Sequence, residues 1–388
     1  MKKLLSFLFL GTFLFAEEQP LIEPTHPENI QVLIQKDASE ALLEIKGPYY
    51  VYNPHDGSRI ASGLLGKRFI VHAIPNGIKW GEEFLGIHQI YVTPRSPETS
   101  ILVDGVQYDG SVAIYSAGDK IEVINDIDIE SYVKSILVSQ FTYPLEQEVM
   151  SALAIVARTD AYYQILKNPH SFWHVDANDS GYMGSALIIP HSFIEKVVDS
   201  TKNLILVHSY KGKNLPFPAK WSDHCGGKTA AYSSIFRVKE AFFPDKSIES
   251  PHAALDRDES KWHYSLSKKS IGELFHFSDC KNIELFTDND SHKIYAVRLK
   301  SDSSHKDLSF FDFQKTLGRE KIQSNDFVIQ PKGDHFFLSG FGKGHGVGLC
   351  LYSASAMAQN GENALRILSM FYPETFLYNL SALPASEE

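Results

Sequence analysis

Residues 126–161 read DIDIESYVKSILVSQFTYPLEQEVMSALAIVARTDA, and this stretch decides the fold at the centre of the chain. Its apolar residues recur about every 3.6 positions, first over 129–137 and again after Pro144, which is the period of an α-helix. Asp128 suits the N-cap of the first helix, and Pro144 suits the first position of the second. The pattern predicts two packed helices with Gln140 at their junction.

The chain before these helices has the period of a β-strand instead. Short runs rich in β-branched and aromatic residues, at 30–34, 41–45, 68–72 and 90–92, are separated by turn residues. Asp104-Gly105 and Asp109-Gly110 are hairpin-like signals. We predict an α+β protein: a β-rich N-terminal region over 25–120, folded as a meander or partial barrel, and a mixed helix and strand domain over 121–380.

The N-terminus has the pattern of a secretory signal peptide over residues 1–16. Lys2 and Lys3 precede an apolar run at 4–15, and the small Ala16 precedes acidic residues. The run is short for a membrane span. A cleaved signal and an uncleaved anchor both predict a periplasmic or extracytoplasmic protein, with membrane contact only in the second case.

The composition of the chain limits which classes of molecule the protein can bind. The chain has 388 residues, 43% of them hydrophobic, and a formal net charge of −10. Nucleic acid is excluded as the main partner, because phosphate binding requires a dense Lys/Arg surface. Three cysteines allow at most one disulfide, and no CxxC pair is present. We expect no cofactor.

A second informative stretch is GFGKGHGVGLCLYSASAMA at residues 340–358. Glycines let the backbone approach a ligand closely and present N–H donors, so Gly344, His345 and Gly346 are candidate ligand contacts. A helix is predicted to follow at about 352–359, beginning with Tyr352, which is a further candidate ligand contact. The shorter loop DHCGGKT at 223–229 also contains paired glycines.

Taken together, these stretches resemble the SpoIID/LytB family, bacterial cell-wall proteins that bind and cut the glycan strands of peptidoglycan. The matching residues are Glu130, Tyr132, Val133, Ala157, Arg158, Thr159 and Ala161 in the helix pair, Cys225, Gly226, Gly227 and Thr229 in the shorter loop, Gly342, Gly344, His345, Gly346, Val347, Gly348, Tyr352, Ala354, Met357 and Ala358 around the longer loop, and Gly361, Ile367, Leu368, Tyr372 and Pro373 near the C-terminus. The resemblance covers about 101–375.

The chain departs from the family pattern at the position that matters most for catalysis. Gln140 stands where the family has a catalytic Glu, and Asp160 replaces a Tyr. Relatives that cut glycan are lytic transglycosylases, in which one carboxyl group protonates the glycosidic oxygen and then takes a proton from the muramoyl C6 hydroxyl. An amide cannot transfer that proton, and losing a general acid costs about 10²–10⁴ in rate.

The resemblance therefore implies a protein that binds denuded glycan strands, with reduced or absent cutting. A non-catalytic partner that stimulates a cell-wall amidase or joins a division complex is the alternative, and a purely structural periplasmic protein is a third. Glu146 and Glu148 are candidate substitutes for the acid, although acids in a first helical turn also suit the helix dipole. Asp160, Asp176 and Asp223 are further substitutes.

Two other residues have competing roles. Arg158 lies in an apolar helix, where it is either a donor to a sugar or peptide carboxylate or half of a structural ion pair. Cys225 is assigned to the glycan-binding set with its loop, although a structural role is the alternative. As a nucleophile it would need a paired base, and the adjacent His224 tends to point elsewhere.

Metal binding and sugar stacking complete the candidates. His170, His174, Asp176 and Asp179 have ligand-like spacing, but structural zinc sites favour Cys and His sets, so we predict no metal. Flat aromatic side chains are candidate platforms for sugar rings, namely Trp173, Trp221 and Tyr182.

Overall fold

The computed structural model describes residues 28–238 and 245–382. The predicted signal peptide at 1–16 lies outside these ranges. Within them the chain contains both strands and helices, which confirms the α+β class, and the N-terminal region is rich in strands as predicted. None of the helices in the described part is both long and apolar enough to cross a bilayer.

Before the first helix, the regular secondary structure of the described chain consists of strands only. They are β1 (Asn29–Ala38), β2 (Glu40–Lys46), β3 (Tyr49–Tyr52), β4 (Arg59–Gly63), β5 (Lys67–Ile74), β6 (Gly77–Trp80), β7 (Glu82–Leu85), β8 (Gln89–Pro94), β9 (Ser100–Val103), β10 (Val106–Tyr108), β11 (Ser111–Ala117) and β12 (Lys120–Asp128). They form two antiparallel layers, in the orders β10-β9-β2-β5-β6-β7 and β1-β12-β11-β8-β3-β4. Apolar side chains from both layers share one core, which includes Leu43, Val51, Trp80 and Ile114.

The two hairpin signals have different outcomes. Asp104-Gly105 is the two-residue turn between β9 and β10, and its φ angles of 48° and 84° are those of a type I′ turn. The hairpin predicted at Asp109-Gly110 is wrong, because the chain there leaves one sheet and enters the other. The predicted meander is also wrong, because the strands are divided between two sheets. Each sheet buries its apolar face against the other.

The helices of the described chain begin directly after β12. They are α1 (Ile129–Gln140), α2 (Gln147–Lys167), α3 (Ala177–Ser180), α4 (Phe193–Ser200), α5 (Tyr232–Phe236), α6 (Pro251–Leu255), α7 (Lys268–Phe275), α8 (Phe310–Leu317), α9 (Leu351–Gln359) and α10 (Ala364–Phe371), with 3-10 turns at Arg257–Ser260 and Leu380–Ala382. The Asp128 side chain accepts a hydrogen bond from the Ser131 N–H at 3.0 Å and caps α1 as predicted. Pro144 is not in α2, because the first helical bond runs from the Met150 N–H to the Glu146 carbonyl.

Short strands alternate with the helices in the second half. They are β13 (Val175–Asp176), β14 (Leu204–Tyr210), β15 (Lys213–Leu215), β16 (Trp221–Ser222), β17 (Lys261–Ser267), β18 (Asn282–Thr287), β19 (Ile294–Lys300), β20 (His305–Ser309), β21 (Phe327–Lys332), β22 (His335–Phe341), β23 (Leu349–Cys350) and β24 (Phe376–Asn379). Strand β13 extends the sheet of β1 in parallel.

Helix α2 is the centre of the second half. It packs against α1, α4, α9, α10 and β14, and 15 of its 21 residues are buried. A repeat of about 3.6 residues predicts a helix with one buried face. Helix α2 is instead enclosed on all sides, and such a helix is apolar all round. Ile30 and Val32 of β1 join the same core, so the β-rich region and the helices are packed together.

A further hydrophobic core lies within residues 262–338, which the sequence analysis did not separate from the rest of 121–380. Strands β17, β22 and β21 form one sheet, β18, β19 and β20 form another, and α7 and α8 pack with them. The loop with Cys225 precedes this unit in sequence and the loop with His345 follows it. The boundary predicted after residue 120 stays a prediction.

Candidate functional site

The two glycine-containing loops are bound to each other by backbone hydrogen bonds. Strand β16 pairs in parallel with β23, so that Ser222 lies opposite Cys350. The His224 N–H donates to the Lys343 carbonyl at 3.0 Å, and the Lys343 N–H donates back to the His224 carbonyl at 2.8 Å. The Ala230 N–H donates to the Gly346 carbonyl at 2.7 Å. The structure therefore joins two sequence motifs into one surface feature, which we call the loop pair (residues 221–230 and 340–350).

The glycines of the longer loop are needed for this close approach. Gly344 has a φ of 98°, and a Cβ there would lie 3.1 Å from the Ser222 Cβ. Gly346 has a φ of 66°, and its Cβ would lie 2.4 Å from the Cε of the buried Lys293. Packing against Ser222 and Lys293 thus explains both glycines. The predicted contact of Gly344 and Gly346 with glycan stays a prediction.

One ring nitrogen of His345 is hydrogen-bonded within the protein, and the other is not. Its Nδ1 accepts the Val347 N–H at 3.1 Å and lies 3.3 Å from the Ser222 Oγ. In a neutral ring the Nε2 then carries the proton. His345 is half-buried, and no described residue accepts a hydrogen bond from this Nε2.

The surroundings of His345 keep the ring neutral. Burial lowers its pKa to about 3, and the positive charges of Lys220, Arg319 and Lys293 act in the same direction. Since its ordinary pKa is about 6.5, the ring stays uncharged at neutral and mildly acidic pH. A neutral donor suits an uncharged acceptor such as a sugar hydroxyl or acetamide oxygen.

An aromatic stack lies beside His345, and sequence reasoning missed it. The Phe236 ring meets the imidazole edge-on, with ring centroids 5.4 Å apart. Phe236 also stacks on Tyr232 at 4.5 Å and on Phe311 at 5.1 Å. Phe236 and Tyr232 are half-buried. No signal marks them in the sequence, because α5 and α8 are ordinary short helices far apart along the chain.

Gln140 is exposed at the C-terminal end of α1 and does not point into the core. Its Nε2 donates to the Ser180 carbonyl at 3.2 Å. The neighbouring Ser139 Oγ donates to the Gly181 carbonyl at 2.7 Å, so the turn after α3 holds the end of α1. The side chain is therefore placed at the surface by a specific backbone contact.

The charge of Asp160 acts on α1 and is paired with a cation that acts on His345. The pKa of the Tyr132 hydroxyl, on α1, is raised by burial and, in part, by the nearby charge of Asp160. Asp160 accepts from the Lys220 Nζ at 2.7 Å, and Lys220 is one of the cations that act on His345.

The two glutamates proposed as substitute acids have structural partners. Glu148 accepts the Ala364 N–H at 2.8 Å, at the start of α10. Glu146 accepts from the Gln359 side chain at 2.6 Å. Although partial burial acts to raise the pKa of Glu146, hydrogen bonds from Gln359 and others lower it overall. A carboxyl held in its charged form is poorly suited to donate a proton.

The three aspartates proposed as substitutes also have partners. Asp160 pairs with Lys220, and Asp176 caps α3 by accepting the Asn178 N–H at 2.8 Å. Asp223 pairs with Lys343 at 2.7 Å.

Arg158 forms the structural ion pair, and the ligand-binding interpretation is wrong. The side chain is completely buried, its Nε and Nη2 donate to the two Glu130 oxygens at 2.9 and 2.6 Å, and its Nη1 donates to the Leu204 carbonyl at 3.0 Å. Because its donors are engaged and it has no exposed surface, it cannot reach a glycan. Arg158 instead fastens α2 to α1 and to β14.

Replacing Arg158 with Met should destabilise the protein by about 3–5 kcal/mol, because Glu130 would remain partly buried without its partner. Urea unfolding measures this change. Arg298→Met is the matched control, since Arg298 pairs with Asp307 at the surface and its loss should cost about 1 kcal/mol or less. Equal, small effects of the two changes would contradict the structural role.

The thiol of Cys225 is also inaccessible, which corrects its assignment to the glycan-binding set. The residue is 1% exposed, and its N–H donates to the Cys350 Sγ at 3.3 Å. Hydrogen bonding with the Cys350 thiol and burial raise the pKa of Cys225. A buried, protonated thiol is neither a ligand contact nor a nucleophile. Cys225, Cys280 and Cys350 are free and buried.

Tyr352 is half-buried, at the start of α9. Its hydroxyl donates to the Asp256 carboxylate at 2.6 Å, which raises the Tyr352 pKa to about 12. Its ring packs 4.7 Å from the imidazole of His224, whose Nε2 is buried without a partner among the described residues. The predicted glycan contact of Tyr352 stays a prediction.

The other candidates are divided by burial. Tyr182 is buried, stacks on Tyr132 and donates its hydroxyl to Asn125, so its interpretation as a sugar platform is wrong. Trp173 and Trp221 are half-buried. In residues 28–238 and 245–382, no group of three or more His, Cys, Asp or Glu side chains is arranged to hold a metal ion.

Gly346→Ala should destabilise the protein more than an alanine at a comparable open position, because its Cβ would displace the buried Lys293. Gly212→Ala is the matched control, with a similar φ of 79° and open space around the Cβ. We expect about 1–2 kcal/mol for the control, from backbone strain alone, and clearly more for Gly346→Ala. Thermal unfolding compares them, and equal shifts would contradict the packing role of Gly346.

Comparison with known proteins gives a family. Residues 117–208, which span the end of β11 to most of β14, match the SpoIID model, described as stage II sporulation protein. The chain is 34% identical over 194 residues to an uncharacterized protein of Chlamydia pneumoniae, a match that covers 50% of this chain and 69% of that protein. The chain belongs to the SpoIID family.

Two further relatives extend the comparison. An uncharacterized protein of Brachyspira hyodysenteriae is 29% identical over 336 residues, covering 85% of this chain and 87% of that protein. An uncharacterized protein of Chlamydia muridarum is 35% identical over 179 residues, covering 46% of this chain and 62% of that protein. Membership of the SpoIID family indicates a function related to sporulation or the cell wall. The family model ends before the loop pair.

Proposed function

We propose that this SpoIID protein is exported and binds peptidoglycan glycan strands that have lost their stem peptides, with little or no cutting activity. The observation that carries the proposal is the state of His345, which is a neutral donor whose Nε2 has no partner in the described chain, beside an aromatic stack. Sugar rings present hydroxyl and acetamide oxygens at their edges and C–H groups on their faces, so this pairing of donor and aromatic face suits them.

The end of α1 supports binding without efficient catalysis. The Gln140 amide donates to the Ser180 carbonyl, and an amide has no proton to give to a glycosidic oxygen at neutral pH. The carboxylates near the two parts of the site already have structural partners. Each of the five carboxylates considered as substitutes, all in the described chain, thus already has a partner within the protein.

A role as a protein partner, such as one that stimulates a cell-wall amidase, is the second candidate. The observation that favours it is a set of exposed apolar side chains in the segments that follow Gln140 and the turn at 180–181: Tyr143, Met183, Leu187 and Ile189 are 50–86% exposed. Exposed apolar groups close in sequence are typical of protein contacts.

His345→Asn tests the proposed function. The Asn oxygen can still accept the Val347 N–H, but the donor at the Nε2 position is lost, so we expect binding to denuded strands to weaken about five- to tenfold. Sedimentation with purified strands measures the affinity. His335→Asn is the control, because His335 is exposed on β22. Unchanged affinity in His345→Asn would refute the role of the imidazole, and no binding by the unaltered protein would refute the proposed function.

Gln140→Glu should restore cutting if this position is the family's acid. A protonated carboxyl could donate to the Ser180 carbonyl as the amide does, and that bond would favour the protonated form and raise its pKa. We expect anhydro-muramoyl ends to form about 10²–10⁴ times faster than with the unaltered protein, as detected by mass spectrometry. Gln147→Glu adds the same charge at a nearby exposed position and should have no effect. The same absence of effect in Gln140→Glu would show that the acid belongs elsewhere.

A further inference from the structure

An unpaired cation lies beside the loop pair, at Arg319. Arg319 lies in the segment after α8, and this segment is hydrogen-bonded to the longer glycine loop. The Gly344 N–H donates to the Gln323 carbonyl at 2.8 Å, and Ser324 forms an isolated parallel β-bridge with Gly344. Arg319 is exposed and makes no ion pair or hydrogen bond with any residue that the structure describes.

The other cations near His345 are engaged within the protein. The Lys220 Nζ lies 2.7 Å from the Asp160 carboxylate. The buried Lys293 Nζ donates to the Cys225 carbonyl at 2.7 Å and lies 3.5 Å from Asp326. Arg319 is therefore the cation of this group that has its full set of donors available at the surface.

We propose that Arg319 binds a carboxylate of the ligand next to the sugar that His345 contacts. This inference rests on the proposed function and specifies which form of the strand is selected. When the stem peptide is removed from a muramoyl residue, its lactyl group ends in a free carboxylate, whereas in an intact strand the same carbon is part of an amide. A planar guanidinium can bind a carboxylate through two parallel hydrogen bonds, which it cannot form with an amide.

The electrostatics of the site agree with this assignment. The segment that carries Arg319 is hydrogen-bonded to the residue next to His345, and the charge of Arg319 is among those that lower the His345 pKa. The lysines in the same group also contribute positive potential. A neutral donor flanked by a free guanidinium matches a sugar that carries one negative group.

Arg319→Gln with two matched ligands tests the inference. The ligands are denuded strands with free lactyl carboxylates, and the same strands after the carboxylates have been converted to amides. We expect the unaltered protein to bind the free form about tenfold or more tightly, as is typical of a charge-assisted pair. Arg319→Gln should lose this preference and bind the amidated strands as the unaltered protein does.

Arg366→Gln is the matched control. Arg366 is exposed on α10 and is not among the charges that act on His345, so its loss should leave the preference intact. A preference retained in Arg319→Gln would overturn the inference while the proposed function stands. Failure of the unaltered protein to bind either form would overturn both.

A third ligand distinguishes the source of the carboxylate. Strands that keep their stem peptides carry carboxylates on the peptides but none on the lactyl groups. If Arg319 binds the lactyl carboxylate, these strands should bind as weakly as the amidated ones, and their affinity should not depend on Arg319. Tight binding of peptide-bearing strands that is lost in Arg319→Gln would assign the contact to the peptide and overturn the lactyl assignment.

Discussion

The pairing between the two glycine-containing loops is the constraint on which the candidate site depends. It is made by backbone hydrogen bonds between His224 and Lys343 and between Ala230 and Gly346. The buried Lys293 crosses beneath it, with its Cε against Gly346 and its Nζ on the Cys225 carbonyl. Because a side chain at Gly346 would collide with Lys293, the position of the imidazole next to it depends on that glycine.

Local patterns predicted the local structure well, for physical reasons. The Asp128 cap, the helix pair and the Asp104-Gly105 turn depend on neighbours a few residues away, so the sequence contains their signals. The hairpin predicted at Asp109-Gly110 was wrong, and the separate core at 262–338 was not predicted. Both depend on which sheet or core a strand joins. That choice depends on the burial of apolar faces from distant segments, which no short motif encodes.

The candidate site was predictable only in part. His345 and Gln140 were identified through motifs, but the residues around His345 were not, since Phe236, Phe311 and Arg319 come from segments that carry no signature. Arg158 shows the opposite error. A charged residue in an apolar helix suggests either function or an ion pair, and only the positions of Glu130 and the Leu204 carbonyl decide for the ion pair.

The charge of the whole chain makes a local cation necessary for the proposed ligand. A denuded strand bears one carboxylate for each muramoyl residue, and the protein has a formal net charge of −10, so their long-range interaction is repulsive. At physiological salt the Debye length is about 8 Å, so charges beyond that distance are largely screened and the contacts within it decide affinity. Lys220 and Lys293 are engaged by Asp160, Asp326 and a carbonyl. In the proposed complex, Arg319 is therefore the cation that provides the short-range attraction. Selection of the stripped strand would then depend on a single exposed guanidinium and not on the net charge of the chain.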